Sequence, residues 1–225
     1  MAKHRLRDRK FRHDAAYRRA KKEQYAGRAV YKLEEIDQKF RLFKPGGRVL
    51  DLGCWPGSWL QYVVPKIGPE GLAVGVDLKA VTVEFPDNVH TFEGDVFKLR
   101  PSAFEKKFGA FTTVISDMAP HTSGDRAGDQ HGSEELFLRA LTIARGCLRP
   151  GGHFAAKIFQ GPRFPEILRT MKDTFQEAKA FRPGSTRAGS FEQYLVGRGM
   201  RPGAALTDDD VPTSSSHGPD DPGEA

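Results

Sequence analysis

The sequence is poor in cysteine, and it lacks any long uninterrupted apolar run. Only two cysteines occur among 225 residues, Cys54 and Cys147, and neither belongs to a Cys-x-x-Cys pair. This argues against a disulfide framework and against a zinc site, so no metal is expected. No apolar stretch approaches the ~20 residues of a membrane helix, and the basic N-terminus is not followed by the apolar segment of a secretory signal. We therefore expect a soluble, cytoplasmic protein that does not bind a membrane.

Acidic residues are scarce at the start of the chain and abundant at its end. Residues 1–25 contain ten Lys/Arg and three Asp/Glu, a net charge of +7, whereas residues 201–225 contain one Arg and six Asp/Glu, a net charge of −5. A basic segment attached to a mildly basic body indicates a polyanionic partner, although a merely solubilising segment has a similar composition. We predict a basic arm over residues 1–25, a folded domain over 26–199 and a disordered acidic tail over 200–225.

Between the two ends, short apolar runs alternate with amphipathic segments of helix length. Strands are predicted at residues 48–52, 72–77, 89–93, 111–117, 153–159, 178–181 and 193–196. Helices are predicted through residues 32–36 and at 59–64, 133–145 and 165–175, with Gly146 as the stop signal of the third. This alternation predicts a Rossmann-like α/β fold, in which a seven-stranded, mostly parallel sheet has helices on both faces.

A glycine turn joins the first strand to the helix that follows it. Gly53 and Gly57 allow the backbone to approach a ligand closely. The turn reads G-C-W-P-G-S-W, whereas a nicotinamide dinucleotide site would need G-x-G-x-x-G. Its bulky residues suit an adenosyl group or a methionine chain better than a diphosphate. Asp77 ends the second strand and could hold both ribose hydroxyls of an adenosine, and Asp95 follows the third strand and could reach the adenine amino group.

Four charged residues are candidates for the reacting end of this site. Asp117 ends the fourth strand in S-D-M-A-P, so the Asn/Asp-Pro-Pro-Tyr/Phe signature of amino-methylating enzymes is absent. Lys157 lies inside an otherwise apolar strand, where a lysine is costly unless it is paired. Glu192 precedes the last strand, and Lys32 lies on the first amphipathic helix. Taken singly, Lys32 and Glu192 would be ordinary surface charges.

The segments around these residues follow an order that is typical of a known family. They read R-A-V-Y-K-L-E-E-I, L-F-K-P-G, D-L-G-x-x-P-G-x-W, S-D-M-A-P, G-G-x-F-x-x-K-x-F-Q-G and S-x-R-A-x-S-x-E. This series resembles the FtsJ/RrmJ family of S-adenosylmethionine-dependent 2′-O-ribose methyltransferases of ribosomal RNA, over about residues 25–199. Two departures are visible: Cys54-Trp55 replaces a usual pair of small residues, and Ser58 replaces a usual glycine.

The resemblance implies a site and a substrate. The catalytic tetrad of the family carries over onto Lys32, Asp117, Lys157 and Glu192. The positions that bind S-adenosylmethionine carry over onto Gly57, Trp59, Asp77, Asp95 and Asp117, and Gly53 belongs to the same glycine turn. The implied substrate is a uridine in the A-loop of 23S ribosomal RNA in the large ribosomal subunit. With such a substrate the basic arm is expected to bind RNA, and a monomer is our default expectation. A target in transfer RNA or an mRNA cap, and a non-catalytic ribosome-assembly factor, remain open alternatives.

We hypothesise that Lys157 is the general base, because a lysine can accept a proton only in its neutral form, which burial favours. Lys32 would favour that neutral form or orient the hydroxyl. Asp117 would position Lys157 and touch the methionine end of the cofactor, and Glu192 would hold a lysine or the ribose. Further contacts to RNA phosphates are expected from basic residues near the active cleft, namely Arg28, Lys44, Arg126 and Arg187.

Overall fold

The structure is a computed structural model that describes residues 15–206, apart from Ser123 and Ala188. Within that part of the chain the helices are α1 (Ala15–Lys22), α2 (Val30–Phe40), α3 (Ser58–Ile67), α4 (Pro101–Phe108), α5 (Arg126–Cys147) and α6 (Phe164–Thr174). The strands are β1 (Arg48–Leu52), β2 (Leu72–Asp77), β3 (Val89–Glu93), β4 (Phe111–Ser116), β5 (Leu148–Phe159), β6 (Phe175–Phe181) and β7 (Glu192–Met200). A short 3-10 helix, Pro202–Ala204, follows β7.

The seven strands form one sheet in the order β3-β2-β1-β4-β5-β7-β6. All neighbouring pairs are parallel except those of β7, which runs antiparallel to both β5 and β6. The predicted seven-stranded, mostly parallel sheet is therefore confirmed. The strand order reverses between β1 and β4, and ligands of open α/β sheets bind at the carboxyl ends of the strands beside such a point.

Helices cover both faces of the sheet, because successive strand residues point to opposite sides. Val49 packs in one apolar cluster with α2 and α3, and its neighbour Leu50 packs in a second cluster with α4, α5 and α6. Ala73 and Val74 of β2 divide in the same way. The central strands are thus buried on both faces, as parallel strands usually are.

Two predictions about helices need correction. Helix α5 begins at Arg126 rather than at residue 133, because the Asp125 carboxylate caps it by accepting hydrogen bonds from the N–H groups of Ala127 and Gly128. Gly146 does not stop the helix, which continues to Cys147. A Cβ at Gly146 would lie 2.5 Å from Pro101 Cβ, so this glycine permits close packing against the start of α4. Helix α4 itself was missing from the sequence-based prediction.

The boundaries of β5 and of the folded part also differ from the prediction. Strand β5 starts at Leu148 instead of residue 153, and the turn at Pro150-Gly151 forms an irregularity where β4 pairs first with Leu148 and then with His153. The predicted acidic tail starts too early, since residues 200–206 pack on the domain. Ala204 is buried, and Leu206 N–H donates to the Arg145 carbonyl. The rest of that tail, 207–225, and the arm residues 1–14 lie outside the described residues.

Candidate active site

Lys157 lies in the middle of the sheet, on β5 between β4 and β7. Its side chain is only 6% exposed, and its ammonium group is 3.1 Å from Asp117 Oδ1. The same Nζ atom donates to the backbone carbonyl of Asp117 at 2.5 Å. The lysine is therefore not an edge residue with its head in solvent. It is a buried cation held by two oxygens of one residue, which meets the requirement that a buried charge be paired.

A second buried ion pair lies beside the first. Lys32 Nζ is 2.6 Å from Glu192 Oε1, and both side chains are about nine-tenths buried. Helix α2 contributes the lysine and the first residue of β7 contributes the acid. We call Lys32, Asp117, Lys157 and Glu192 the catalytic quartet, after the role that the sequence predicts for them. The structure thus brings together four residues that are separated by up to 160 positions in the sequence.

Tyr194 links the two ion pairs and was missed by the sequence analysis. It is fully buried, and its hydroxyl lies 2.6 Å from Asp117 Oδ1 and 3.2 Å from Glu192 Oε1, so it can donate to either carboxylate. A usable signal was present, since Tyr194 stands two residues after Glu192 and side chains at that spacing share a face of a strand. In the register of β5 and β7, Lys157 pairs with Tyr194 and Phe159 pairs with Glu192. The three polar residues therefore lie on the face covered by α2.

The charges of the quartet alter the ionisation of its members. Burial by itself would raise the pKa of Asp117, but the nearby Lys157 and Lys32 and the hydrogen bonds from Tyr194 and Lys157 outweigh it, so the pKa is lowered. Burial, together with the charges of Asp117 and Glu192, holds the pKa of Tyr194 well above its ordinary value. Asp117 is therefore ionised at neutral pH, and Tyr194 remains a hydrogen-bond donor.

Hydrogen bonds hold helix α2 against α3 and against the loop before β7, and this fixes the position of Lys32. Trp59 on α3 donates its indole N–H to the Ala29 carbonyl, 2.9 Å away, just before α2 begins. Glu35 accepts hydrogen bonds from the N–H groups of Gly184 and Ser185, in the loop that leads to β7. The indole of Trp59 is buried and also packs beside Tyr194.

The glycine turn, residues 53–58, is packed so closely that side chains at its two glycines would collide with neighbours. Gly53 has φ +82°, and a Cβ there would lie 2.5 Å from Met118 Cγ. Gly57 has φ +107°, and a Cβ there would lie 3.0 Å from Val81 Cγ1. Met118 directly follows Asp117. The turn is therefore a cradle in which backbone, rather than side chains, borders the catalytic quartet.

Two acidic residues follow the neighbouring strands. Asp77 accepts hydrogen bonds from the backbone N–H of Trp55 (3.0 Å) and of Lys79 (2.9 Å), which orient its carboxylate against the glycine turn. Asp95 accepts a hydrogen bond from the N–H of Phe97. The carbonyl of Asp77 accepts from Gly94 N–H, so the two acids lie at adjoining strand ends. Both sit where the sequence predicted them, at the carboxyl edge.

Asp51 is a second residue that the sequence analysis did not single out. It lies in β1, its side chain is 0% exposed, and neither carboxylate oxygen has a hydrogen-bond partner among the described residues. Burial, with smaller contributions from Asp117 and Asp77, raises its pKa well above the ordinary value of 3.8. A buried acid without a partner is costly when ionised, so burial favours the protonated form of Asp51.

The two cysteines fill apolar space, as expected. Cys54 and Cys147 are both free and buried. Burial raises the pKa of each thiol, so neither forms the thiolate that a cysteine nucleophile requires. In the described part of the chain no group of three or more His, Cys, Asp or Glu side chains is arranged to bind a metal, and no helix there could cross a membrane.

The basic residues proposed to contact phosphates are scattered. Arg126 and Arg187 lie in the segments that flank the quartet, and Arg28 precedes α2. Lys44 is the exception, since it precedes β1 at the amino edge of the sheet and acts electrostatically on His153. It therefore lies away from the catalytic edge, contrary to the prediction. Helix α1 adds exposed Arg18, Lys21 and Lys22. Its Arg19 instead contacts the Tyr31 ring and the Glu34 carboxylate.

Comparison with known proteins bears on this arrangement. The sequence profile of the FtsJ-like methyltransferases matches residues 25–200. A relative named ribosomal RNA large subunit methyltransferase E, from Syntrophobacter fumaroxidans, is 47% identical over 189 residues, which cover 84% of this chain and 96% of that protein. The protein of the same name from Bdellovibrio bacteriovorus is 46% identical over 187 residues, covering 82% of this chain and 95% of its own length.

A solved structure agrees with these relatives. A Plasmodium falciparum protein, provisionally described as a ribosomal RNA methyltransferase, superposes with a TM-score of 0.69 at 27% identity. The superposition covers 78% of this chain and 98% of that one. The profile match spans far more than half of the sequence, and the fold agrees with it. The chain belongs to the FtsJ-like methyltransferase family.

Proposed function

We propose that the protein transfers a methyl group from S-adenosylmethionine to a ribose 2′-hydroxyl of large-subunit ribosomal RNA. The observation that carries the proposal is the buried Lys157 amine, which two oxygens of Asp117 hold at the carboxyl edge of the sheet. The next residue, Met118, packs against Gly53 of the glycine cradle. Names of the relatives support large-subunit ribosomal RNA as the substrate. A uridine of the 23S A-loop is the nucleotide we propose, as the family resemblance implies.

The described residues fit S-adenosylmethionine in three respects. The glycine cradle has no side chain at Gly53 or Gly57, the Asp77 carboxylate is oriented beside it, and apolar Val81 and Phe85 border Gly57. We propose that Asp77 holds the ribose hydroxyls, that Asp95 reaches the adenine, and that Gly53, Gly57, the Trp59 backbone and Asp117 border the rest. When bound, S-adenosylmethionine supplies a methyl group on a sulfonium, which is already reactive.

Lys157 is the general base of this proposal. A ribose hydroxyl is a weak acid, so a base must take its proton as the oxygen attacks. A neutral amine has two hydrogens and one lone pair. Both hydrogens can remain on the two Asp117 oxygens, which leaves the lone pair for the hydroxyl proton. Asp117 thus orients the amine and stabilises the ammonium that forms.

Lys32 and Glu192 have positioning roles in the proposal. Lys32, whose charge also acts on Asp117, orients the ribose hydroxyl. Glu192, at 2.6 Å, prevents Lys32 from turning towards Asp117 and neutralising it. Tyr194 donates to one of the two carboxylates and keeps their separation fixed. The main contribution of the enzyme is then orientation of a reactive donor and a weak nucleophile.

The direct test uses methyl-labelled S-adenosylmethionine with large subunits, naked 23S RNA and transfer RNA, followed by mapping of the labelled nucleotide. A 2′-O-methyl group protects the adjacent phosphodiester from alkali, so the product is distinguishable from a methylated base. We expect label in the large-subunit RNA at an alkali-resistant position, and none when that nucleotide is 2′-deoxy. Label in a base, or in transfer RNA alone, would contradict the proposal.

We also propose that the basic arm, of which helix α1 is the described part, binds RNA phosphates. The exposed face of α1 presents Tyr17, Arg18, Lys21 and Lys22. Each phosphate contact that is lost should lower the slope of log affinity against log salt by about 0.7–0.9. The double variant K21A/K22A should therefore flatten the slope, whereas K172A on α6 should not. Equal slopes for the two variants would refute this role for α1.

A further inference from the structure

A small cleft lies next to the catalytic quartet on the side away from the glycine cradle. Arg126, Gln130, Phe159, Ser190 and Phe191 line most of it, and its volume is about 230 Å³. We call it the side cleft. Sites for drug-sized ligands usually have about 300–1,000 Å³. The side cleft therefore has the size of a site for one planar ring, and neither the proposed cofactor site nor the quartet uses it.

The side cleft begins one residue from the quartet. Phe191 immediately precedes Glu192 in the chain, and Phe159 is the partner of Glu192 in the pairing of β5 with β7. The N–H of Gln160 donates to the Phe191 carbonyl, which closes this end of the strand pair. One strand residue spans about 3.3 Å, so a group bound in the cleft lies within the reach of one nucleotide from Lys157.

Phe191 has an unusual environment for a large apolar side chain. It is 48% exposed, and the guanidinium carbon of Arg126 lies 3.9 Å from the centre of its ring. Burying the ring in the core would have stabilised the fold, so folding alone does not explain its exposure. Aromatic rings and arginine planes are the surfaces on which proteins stack unpaired RNA bases. The pair thus has the chemistry of a stacking site.

The loop that presents Phe191 is held in place before any ligand arrives. Arg182 donates to the carbonyls of Ser190 (2.6 Å), Glu192 (3.2 Å) and Arg187 (3.2 Å). Glu35 on α2 anchors the start of the same loop through its backbone N–H groups. Pre-ordering of this kind lowers the entropic cost of binding. The site is therefore formed by the fold and does not depend on the RNA to assemble it.

The side-chain amide of Gln130 lines the cleft and can contact the edge of a base. Gln130 donates to the Gln160 carbonyl at 2.6 Å, and Gln193 donates to the Gln160 side-chain oxygen at 2.7 Å. An amide both donates and accepts, as the Watson–Crick edge of a base does. A bound phosphate would need only the cation, and it would gain nothing from the exposed ring. The combination favours a base over a phosphate.

We propose that the side cleft receives the base of the methylated nucleotide, stacked on Phe191 and Arg126, while its ribose lies against Lys157. This inference rests on the proposed function, since it assumes an RNA substrate. The base must leave any helical stack in order to enter, as bases do in enzymes that act on a single nucleotide. Stacking in the cleft offsets part of that cost. It also brings the 2′-hydroxyl, carried by the ring carbon next to the base-bearing carbon, to the quartet.

The test compares replacements of Phe191 that keep or remove the aromatic ring. F191L keeps apolar volume without a ring and should lower kcat/KM for RNA by about tenfold or more, since stacking is lost. F191W should stay close to the wild-type value. R126A should lower kcat/KM for RNA less than F191L, and R169A on the exposed side of α6 provides the matched loss of one guanidinium. Affinity for S-adenosylmethionine should be unchanged in all four.

A second arm identifies which base is bound. RNA with an abasic residue at the mapped nucleotide should lose activity with the wild type but lose no more with F191L, because both changes remove the same contact. Additive losses would mean that Phe191 does not contact the target base, and full activity of F191L would mean that the ring contacts no base; either result overturns the inference alone. If the wild type methylates no RNA, the proposed function fails with it.

Discussion

Two neighbouring regions of the carboxyl edge satisfy their charges differently. Around β4, β5 and β7 every member of the catalytic quartet is paired within the protein, as Lys157 with Asp117 and Lys32 with Glu192. Around β1 and β2, Asp51 is buried without a partner among the described residues, and Asp77 is bound only by backbone N–H groups in the contacts described. One region has its charges paired within the protein, and we propose that a ligand completes the other.

This difference separates two tasks that a methyltransferase must perform. Paired charges cost little reorganisation when a proton moves, which suits the reacting end. A glycine cradle with an oriented carboxylate keeps its binding capacity for a ligand that must enter and leave at each turnover. Asp117 belongs to the region of paired charges, whereas the next residue, Met118, packs against Gly53 of the glycine cradle. Variants on the two sides should therefore change different kinetic quantities.

The largest effect is expected from the quartet at Lys157. K157A should lower the rate of methyl transfer by about 10²–10⁴-fold, the usual contribution of a general base. K157R should be equally impaired, because arginine keeps the positive charge but does not give up its proton. Single-turnover rates at saturating cofactor measure this directly. Near-normal rates for K157A alongside a severe defect in K32A would instead assign the base role to Lys32.

The next effect belongs to the cradle side. D77A should weaken binding of S-adenosylmethionine by about 10- to 100-fold, because hydrogen bonds to a charged group are lost. The rate at saturating cofactor should change little, since the quartet is untouched. Titration calorimetry and single-turnover rates separate the two quantities. E93A is the control, because Glu93 pairs with Asp77 in the strand register but is exposed. A rate defect of D77A that persists at saturating cofactor would contradict the assignment of cofactor binding and catalysis to separate regions.

Sequence patterns could predict the sheet and the residues with unusual local contexts. Lys157 was recognisable because a lysine in an apolar strand needs a partner, and the glycine turn was recognisable by its spacing. Asp51 carried no such signal, since an acid in an apolar strand is ordinary until its neighbours are known. For Tyr194 the spacing of two from Glu192 was a signal, but it did not show which neighbours the hydroxyl has. Those neighbours lie on other strands, as with Tyr194 and Asp117, which are 77 positions apart.

Other errors arose where a local signal was overridden by packing. Gly146 has the character of a helix stop, but its lack of a side chain is used for contact with Pro101. The indole of Trp59 holds the residue that precedes α2, a contact that the sequence did not predict, while its place at the cofactor stays a prediction. The place of Lys44 at the amino edge follows from strand direction. Each outcome depends on which elements are neighbours in the fold.

A smaller effect should follow from loss of the Tyr194 hydroxyl. Y194F removes the donor that bridges Asp117 and Glu192 and should lower the rate by about 2- to 10-fold, the range of one hydrogen bond. Cofactor affinity should not change. The hydroxyl also helps to lower the pKa of Asp117, so the acid limb of the pH–rate profile should move to higher pH in the variant. A uniform rate loss with an unshifted profile would indicate a purely structural role.

The smallest effect on activity, and a distinct effect on stability, is expected at Asp51. Its pKa is raised in the folded state, so the protonated form is favoured there, and the folded protein holds a proton that the unfolded chain releases above about pH 4. The stabilisation is complete below that pH and declines as pH rises, by at most about 1.4 kcal/mol per pH unit, until the folded pKa is passed.

The D51N variant cannot titrate at this position. Its free energy of unfolding should therefore rise relative to that of the wild type between pH 5 and pH 8, while the rates at saturating cofactor stay within about twofold. Urea unfolding at several pH values measures the gain, and D173N on the exposed face of α6 is the matched control. Parallel curves for D51N and the wild type would mean that Asp51 is ionised in the folded protein, and the cradle region would then carry a buried charge that only a bound cation could balance.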